Sequence, residues 1–222
     1  MPQVAAPRPA KAERTRAAIL AAAERLFAKG GYAATRLEDV ADAVGLKRAA
    51  LFYHFRDKQA LYDAVIEEAF QELVARLEAA LSAGGPIGPR VEAAVEVWVD
   101  AIQARPALAR LVLRHAADAE ERPPAPLFPA AERLLRIAWA LFEEGRRSGE
   151  LEPLHGDPFH AASALIGATV FYVSALAPLL PLRAFDPLAP EQMAAHKRDS
   201  LRTARRLLGI RVTRPMRRRT LR

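Results

Sequence analysis

Apolar residues recur along this chain at three- and four-residue spacing, and no stretch shows the alternation of a strand. Lys11 to Lys29 carries Ile19, Ala23, Leu26 and Phe27 on one stripe, with Gly30-Gly31 placed to stop the helix. Thr35, with Glu38 three residues on, has the spacing of a capping box for a short helix over Arg36 to Ala43. Val44-Gly45-Leu46 then turns the chain into a second short helix. Small or apolar residues fall where two crossed helices must touch: Val40 and Ala41 before the turn, Val44 and Leu46 around it, Leu51 after it. Gly45 supplies the positive φ that a tight turn needs. The segment Thr35 to Phe55 thus has the pattern of a helix-turn-helix, whose second helix enters the major groove of DNA.

The same periodicity continues to the end. Asp57 can cap a long helix over Lys58 to Leu81, with Leu61, Val65, Ala69, Leu73 and Leu77 at helical spacing. Ser82 to Pro89, rich in glycine and proline, breaks it. Further helices are expected over Arg90 to Ala104, Pro106 to Ala117, residues 127–148, Asp157 to about Ala177, and Pro190 to Leu208. In the helix over 127–148, Leu134, Ile137, Ala138, Leu141 and Phe142 point inward. Glu121 to Pro126 reads as a loop, and Pro178 and Pro181 end the apolar helix before them. The fold class is therefore all-α with about nine helices. Residues 1–10 read as a disordered arm, 11–57 as a three-helix head, 58–210 as a larger regulatory and dimerisation body, and 211–222 as a basic, disordered tail.

Charge sharpens this division. The net charge is +7, but residues 1–58 hold 11 Lys/Arg against 6 Asp/Glu, and residues 59–195 hold 11 against 19. Residues 196–222 hold 11 against 1. A basic head on an acidic body is the footprint of a domain that meets phosphate. The absence of cysteine excludes disulfides, thiolate metal sites and cysteine nucleophiles. With no apolar leader and no apolar run of about 18 residues, the expected location is the cytoplasm, away from membranes. No phosphate loop, nucleophile elbow or acid–base carboxylate pair stands out, so the chain reads as a regulator rather than an enzyme. His155, Asp157 and His160, and His115 with Asp118, have spacings that could seat a metal; neither is a full ligand set, and loop or cap roles are expected, with no metal and no cofactor.

Residues 13–61, ERTRAAILAAAERLFAKGGYAATRLEDVADAVGLKRAALFYHFRDKQAL, resemble the TetR (tetracycline-repressor-like) family of bacterial transcriptional regulators. Helix one, the Gly-Gly-Tyr stop, the turn, Leu51-Phe-Tyr-His-Phe55 and the following Lys58 carry the likeness; helix count and order extend it as architecture. The resemblance implies that Thr35 and Arg36 hold a DNA phosphate through backbone N–H, hydroxyl and guanidinium groups. It places Lys47, Arg48, Ala49 and Ala50 against base edges and flanking phosphates, Phe52, Tyr53 and His54 on the backbone or groove wall, and Lys58 on phosphate. Leu46, Leu51 and Phe55 are expected in the core.

This chain departs from the family pattern at the start of the recognition helix. The commonest family pattern there is Ser, any residue, Gly, Thr or Ser, then Leu-Tyr, where this chain has Lys47-Arg48-Ala49-Ala50-Leu51-Phe52. Three hydroxyls are lost, and two cations stand where a helix dipole disfavours them by roughly 0.3 kcal/mol or more. DNA phosphates reverse that penalty, and Arg48 is a candidate to read guanine.

In the body, Trp98, Ile102, Leu111, Phe128, Trp139, Phe142, Phe171 and Tyr172 read as ordinary core, or, by the resemblance, as the lining of a cavity for a small, mostly apolar effector of unknown identity. The last two helices resemble the pair that forms the family's dimer, with Ala161, Ala164, Leu165, Ala168 and Leu201 as candidate contacts. The implied function is a homodimeric repressor that binds a near-palindromic double-stranded operator and is released when an effector in the body tilts helix four and changes head separation. The alternative is a ligand-independent architectural DNA binder, which the basic tail favours.

Overall fold

The computed structural model describes residues 11–118, 129–180 and 185–210. The expected arm 1–10, the loop Glu121 to Pro126, Pro181 and the tail 211–222 lie outside the described residues. The described residues form ten helices and no strand: α1 (Lys11–Ala34), α2 (Leu37–Ala43), α3 (Arg48–His54), α4 (Lys58–Leu81), α5 (Ile87–Ala104), α6 (Ala107–Ala117), α7 (Pro129–Ser148), α8 (Phe159–Ser174), α9 (Leu176–Leu179) and α10 (Pro190–Leu208). The bounds of α4 and α10 are those expected from their periodicity. The tenth helix is the single turn α9, split from α8 at Ala175.

Two compact units divide the chain: residues 1–72 with 105–131, and 73–104 with 132–222. The first is therefore larger than the 11–57 segment, since it takes in α4 as far as Glu72 and all of α6. In it α1 packs against α6 and α2, and α2 against α3. Ile19, Phe27, Val40, Leu51, Leu61 and Leu111 are fully buried, each removing apolar surface worth about 1.5–3 kcal/mol. The rings of Phe27, Tyr32 and Tyr62 meet edge-on or stacked, with centroids 4.9–6.3 Å apart.

The expected stop at Gly30-Gly31 is a kink rather than an end. Gly31 takes φ 81°, and one more helical turn follows to Ala34. The end of α6 docks on this kink. Asp118 accepts a hydrogen bond from the backbone N–H of Tyr32, Arg114 donates to the Lys29 carbonyl (3.1 Å), and Tyr62 Oη lies 3.0 Å from His115 Nδ1. Thus His115 and Asp118, spaced as if for a metal, have docking roles instead.

In the second unit α5 packs on α8 and α10, and α10 on α8. Val95, Trp98, Val99 and Ile102 of α5, Phe142 of α7, Val170 of α8 and Met193 of α10 are buried. Arg205 grips Glu92 with its Nε–Nη2 fork (2.7 and 3.0 Å), and Lys197 pairs with Asp100, tying α10 to α5. The Glu92 carboxyl is held below its ordinary pKa by the Arg205 hydrogen bond, against the opposing effect of burial. Asp157, just before α8, accepts the Phe159 N–H with its Oδ1 (2.9 Å), while the rings of His155 and His160 stack 4.0 Å apart. Among the described residues no three His, Cys, Asp or Glu gather as metal ligands, and no helix is long and apolar enough to cross a membrane.

Candidate nucleic-acid interface

The turn between α2 and α3 follows from its backbone bonds. The N–H groups of Val44 and Leu46 donate to the Ala41 carbonyl (3.2 and 2.9 Å), and that of Gly45 to Asp42 (3.1 Å). Gly45 takes φ 68°, in the left-handed region where an L side chain is strained. Val40, Ala41, Leu51 and Phe55 are buried beneath the turn and Leu46 is half-buried, as expected. Asp57 caps α4, its Oδ1 accepting the Ala60 N–H (2.7 Å).

With one face of α3 buried, the other carries the candidate contacts. Arg36, Lys47, Arg48 and Ala49 are exposed, Ala50 and His54 half-buried. Tyr53 is 84% exposed, edge-on to His54 with ring centroids 5.4 Å apart. At that exposure the phenol is not packed in the core. Phe52, 38% exposed, lies under the Arg48 guanidinium, whose Cζ is 5.3 Å from the ring centre.

Three expectations need correction. The capping box is not formed: the residue before α2 is Arg36, with no side-chain cap. Thr35 is buried, and its hydroxyl donates to the Gly31 carbonyl one turn back (2.8 Å), so that hydroxyl is not offered to phosphate. Glu38 instead pairs with Arg48, Oε1 to Nη1 at 2.8 Å. Lys58 is likewise committed within the head: its Nζ donates to the Ala33 carbonyl (3.0 Å) and stands 4.5 Å over the Tyr32 ring. The pairing of Glu38 with Arg48 is the contact that sequence reasoning missed. Its signal was an acid ten positions before a basic residue across a tight turn.

The body candidates separate by burial. Trp98, Ile102 and Phe142 lie in the core of the second unit, and the Trp98 indole Nε1 is buried with no hydrogen-bond partner among the described residues. Leu111 is buried in the first unit, and Phe128 lies outside the described residues. Trp139 and Phe171 are 42% and 48% exposed, so they face outward and do not line an interior. Tyr172 packs within the second unit. Its hydroxyl donates to Gln192 (3.2 Å), and its ring stacks on His196 at 4.4 Å. Burial raises its pKa.

Of the partner-facing candidates, Ala168 is exposed, and Ala164, Leu165 and Leu201 are half-buried. Ala161 is a correction: it is buried inside its own unit. Leu135 and Trp139 of α7 and Phe159, Ile166 and Phe171 of α8 are the large apolar groups left in water on these two helices. Trp139 and Phe159 touch, with ring centroids 5.6 Å apart. Phe159 and Ile166, seven residues or two helical turns apart, share one side of α8, and Phe171 stands about a third of a turn round the helix from them.

Residues 19–65 match the family model described as bacterial regulatory proteins, tetR family. The HTH-type transcriptional regulator TtgR of Pseudomonas putida is 44% identical over 57 residues, 26% of this chain and 27% of that protein. The HTH-type transcriptional activator FasR of Mycolicibacterium smegmatis is 33% identical over 91 residues, 41% and 42% of the two chains. These matches span about a quarter to two fifths of the curated relatives' length. Among solved structures, the ketosteroid transcriptional regulator KstR2 of Mycobacterium tuberculosis aligns with TM-score 0.64 at 18% identity, covering 91% of this chain and 96% of that one. A TetR family transcription regulator from Marinobacter aquaeolei aligns with TM-score 0.62 at 20% identity, covering 87% and 96%. At these identities the likeness is one of fold.

Proposed function

We propose that this chain is a member of the tetR family of bacterial regulatory proteins, whose model its head matches over residues 19–65, and that it acts as a homodimeric, DNA-binding transcriptional repressor. The observation that carries the reading is the outward face of α3, where Lys47, Arg48 and Ala49 are exposed beside Tyr53 at 84% exposure. Cations there meet phosphate, and the phenol and guanidinium reach the groove wall and base edges.

Dimerisation through the second unit is supported by the apolar groups that α7 and α8 leave in water, since monomers rarely expose large apolar patches. Two heads on a two-fold axis then read half-sites about one helical turn apart, ~34–36 Å along the DNA. A small apolar effector in the second unit lowers the affinity for DNA. By linkage, operator lowers the affinity for effector equally. The buried Trp98 N–H, without a hydrogen-bond partner among the described residues, supports an effector that carries an acceptor oxygen.

Nuclease footprinting on the DNA upstream of this protein's own coding region tests the reading. Two protected half-sites about ten base pairs apart are expected. Uniform protection without a preferred site would mark an architectural binder, and affinity insensitive to salt would remove DNA binding altogether.

A further inference from the structure

The recognition helix of this chain begins with two cations, and one of them is already held. Arg48, the first residue of α3, is gripped on two sides. Glu38 of α2 forms an ion pair with its Nη1 at 2.8 Å, and the guanidinium Cζ stands over the Phe52 ring, 5.3 Å from the ring centre. An arginine side chain has many rotamers, and most aim the guanidinium uselessly into solvent; two separate contacts leave few. The grip does not bury the group, whose side chain stays 62% exposed. With Nη1 engaged, the Nε–Nη2 edge remains. That edge is the fork with which Arg105 holds Glu24 and Arg205 holds Glu92 in this same chain. It presents two parallel N–H groups, the geometry that matches guanine O6 and N7.

We propose that Glu38 is a specificity-determining positioning residue: it aims the Arg48 fork at a guanine of the operator and touches no base itself. The proposal rests on the reading of α3 as a recognition helix. A carboxylate so near DNA phosphates opposes non-specific binding, so Glu38 acts with two signs. It weakens attraction to any duplex and strengthens the choice between duplexes.

The probe is a pool of synthetic duplexes with a randomised centre, from which the wild-type protein enriches a preferred sequence. That sequence is then compared with a scrambled duplex of equal composition. Glu38→Ala and Glu38→Gln each remove one negative charge, so both should bind the scrambled duplex more tightly, and to the same extent. Only Glu38→Gln keeps an acceptor oxygen at the same reach. Glu38→Ala should lose about tenfold in preference, the scale of one good bidentate contact, while Glu38→Gln keeps most of it. In an Arg48→Ala background, Glu38→Ala should change preference no further. An unchanged preference in Glu38→Ala, an equal loss in both variants, or a loss that persists without Arg48 each overturns the proposal and leaves the DNA-binding reading intact. A wild-type protein that enriches no sequence overturns both.

Discussion

The ammonium of Lys58 donates to the Ala33 carbonyl and stands 4.5 Å over the Tyr32 ring, joining the start of α4 to the end of α1. One side chain therefore serves the fold of the head before it serves any ligand. Lys58→Ala should cost about 1 kcal/mol of stability, the sum of a modest hydrogen bond and an exposed cation–π contact. If Lys58 also meets phosphate, the same variant weakens binding to all sequences alike and lowers the salt slope by about one. Urea unfolding reads the first effect and salt-dependent DNA titration the second. Equal salt slopes for the two proteins remove the phosphate role.

Gly45 has open space where a Cβ would stand, yet its φ is 68°. Only backbone strain then separates glycine from alanine at this turn. Gly45→Ala should destabilise by about 1–2 kcal/mol, and Gly45→Asn by less, because asparagine tolerates this region. Denaturant midpoints would show it; unchanged midpoints would mean that the turn relaxes freely.

His196 contributes a pH-dependent step to the stability of the second unit. Thr169 spends its hydroxyl proton on the Leu165 carbonyl (3.0 Å), so the 3.0 Å contact to His196 must be donated by His196 Nε2. Burial lowers the His196 pKa from its ordinary value near 6.5, with Asp199 opposing in part. Below pH 6.5 the unfolded chain therefore binds more protons than the folded one, and stability falls. Its full contribution is present above 6.5, is lost as pH drops toward the folded value, and changes no further below that. His196→Gln should flatten this part of the stability–pH curve. A wild-type curve that is flat across the window would refute the assignment.

Phe171 shows 48% of its surface to water from the last turn of the apolar helix α8. Phe171→Glu places a charge on the proposed dimer face and leaves the buried side of α8 unchanged. Sedimentation should show the mass halve at micromolar concentration, and affinity for a two-half-site duplex should fall at least tenfold, from loss of the second contact. A variant that stays dimeric would move the interface elsewhere.

Much of the head was legible because its constraints are local. Val40, Ala41, Gly45 and Leu51 each answer to a neighbour within a few residues, and Asp57 caps the helix that follows it. Thr35 and Glu38 were misread because their pattern has two outcomes. Thr35 bonds one turn back to Gly31, and Glu38 finds Arg48 ten residues on, a partner that only the crossing of two helices supplies. The body was harder for a different reason. An apolar residue is equally at home in a core, a pocket lining or a subunit interface, so Trp98, buried, and Trp139, exposed, carry the same signal in sequence.

Asp118 grips the backbone N–H of Tyr32 rather than its side chain, and a Cβ added at Gly31 would stand 2.8 Å from its carboxylate. The contact is thus blind to much of the identity of residue 32 and intolerant of any side chain at residue 31. Mutational drift can repaint the surface around this clasp without loosening it, while one added methyl group pries it open.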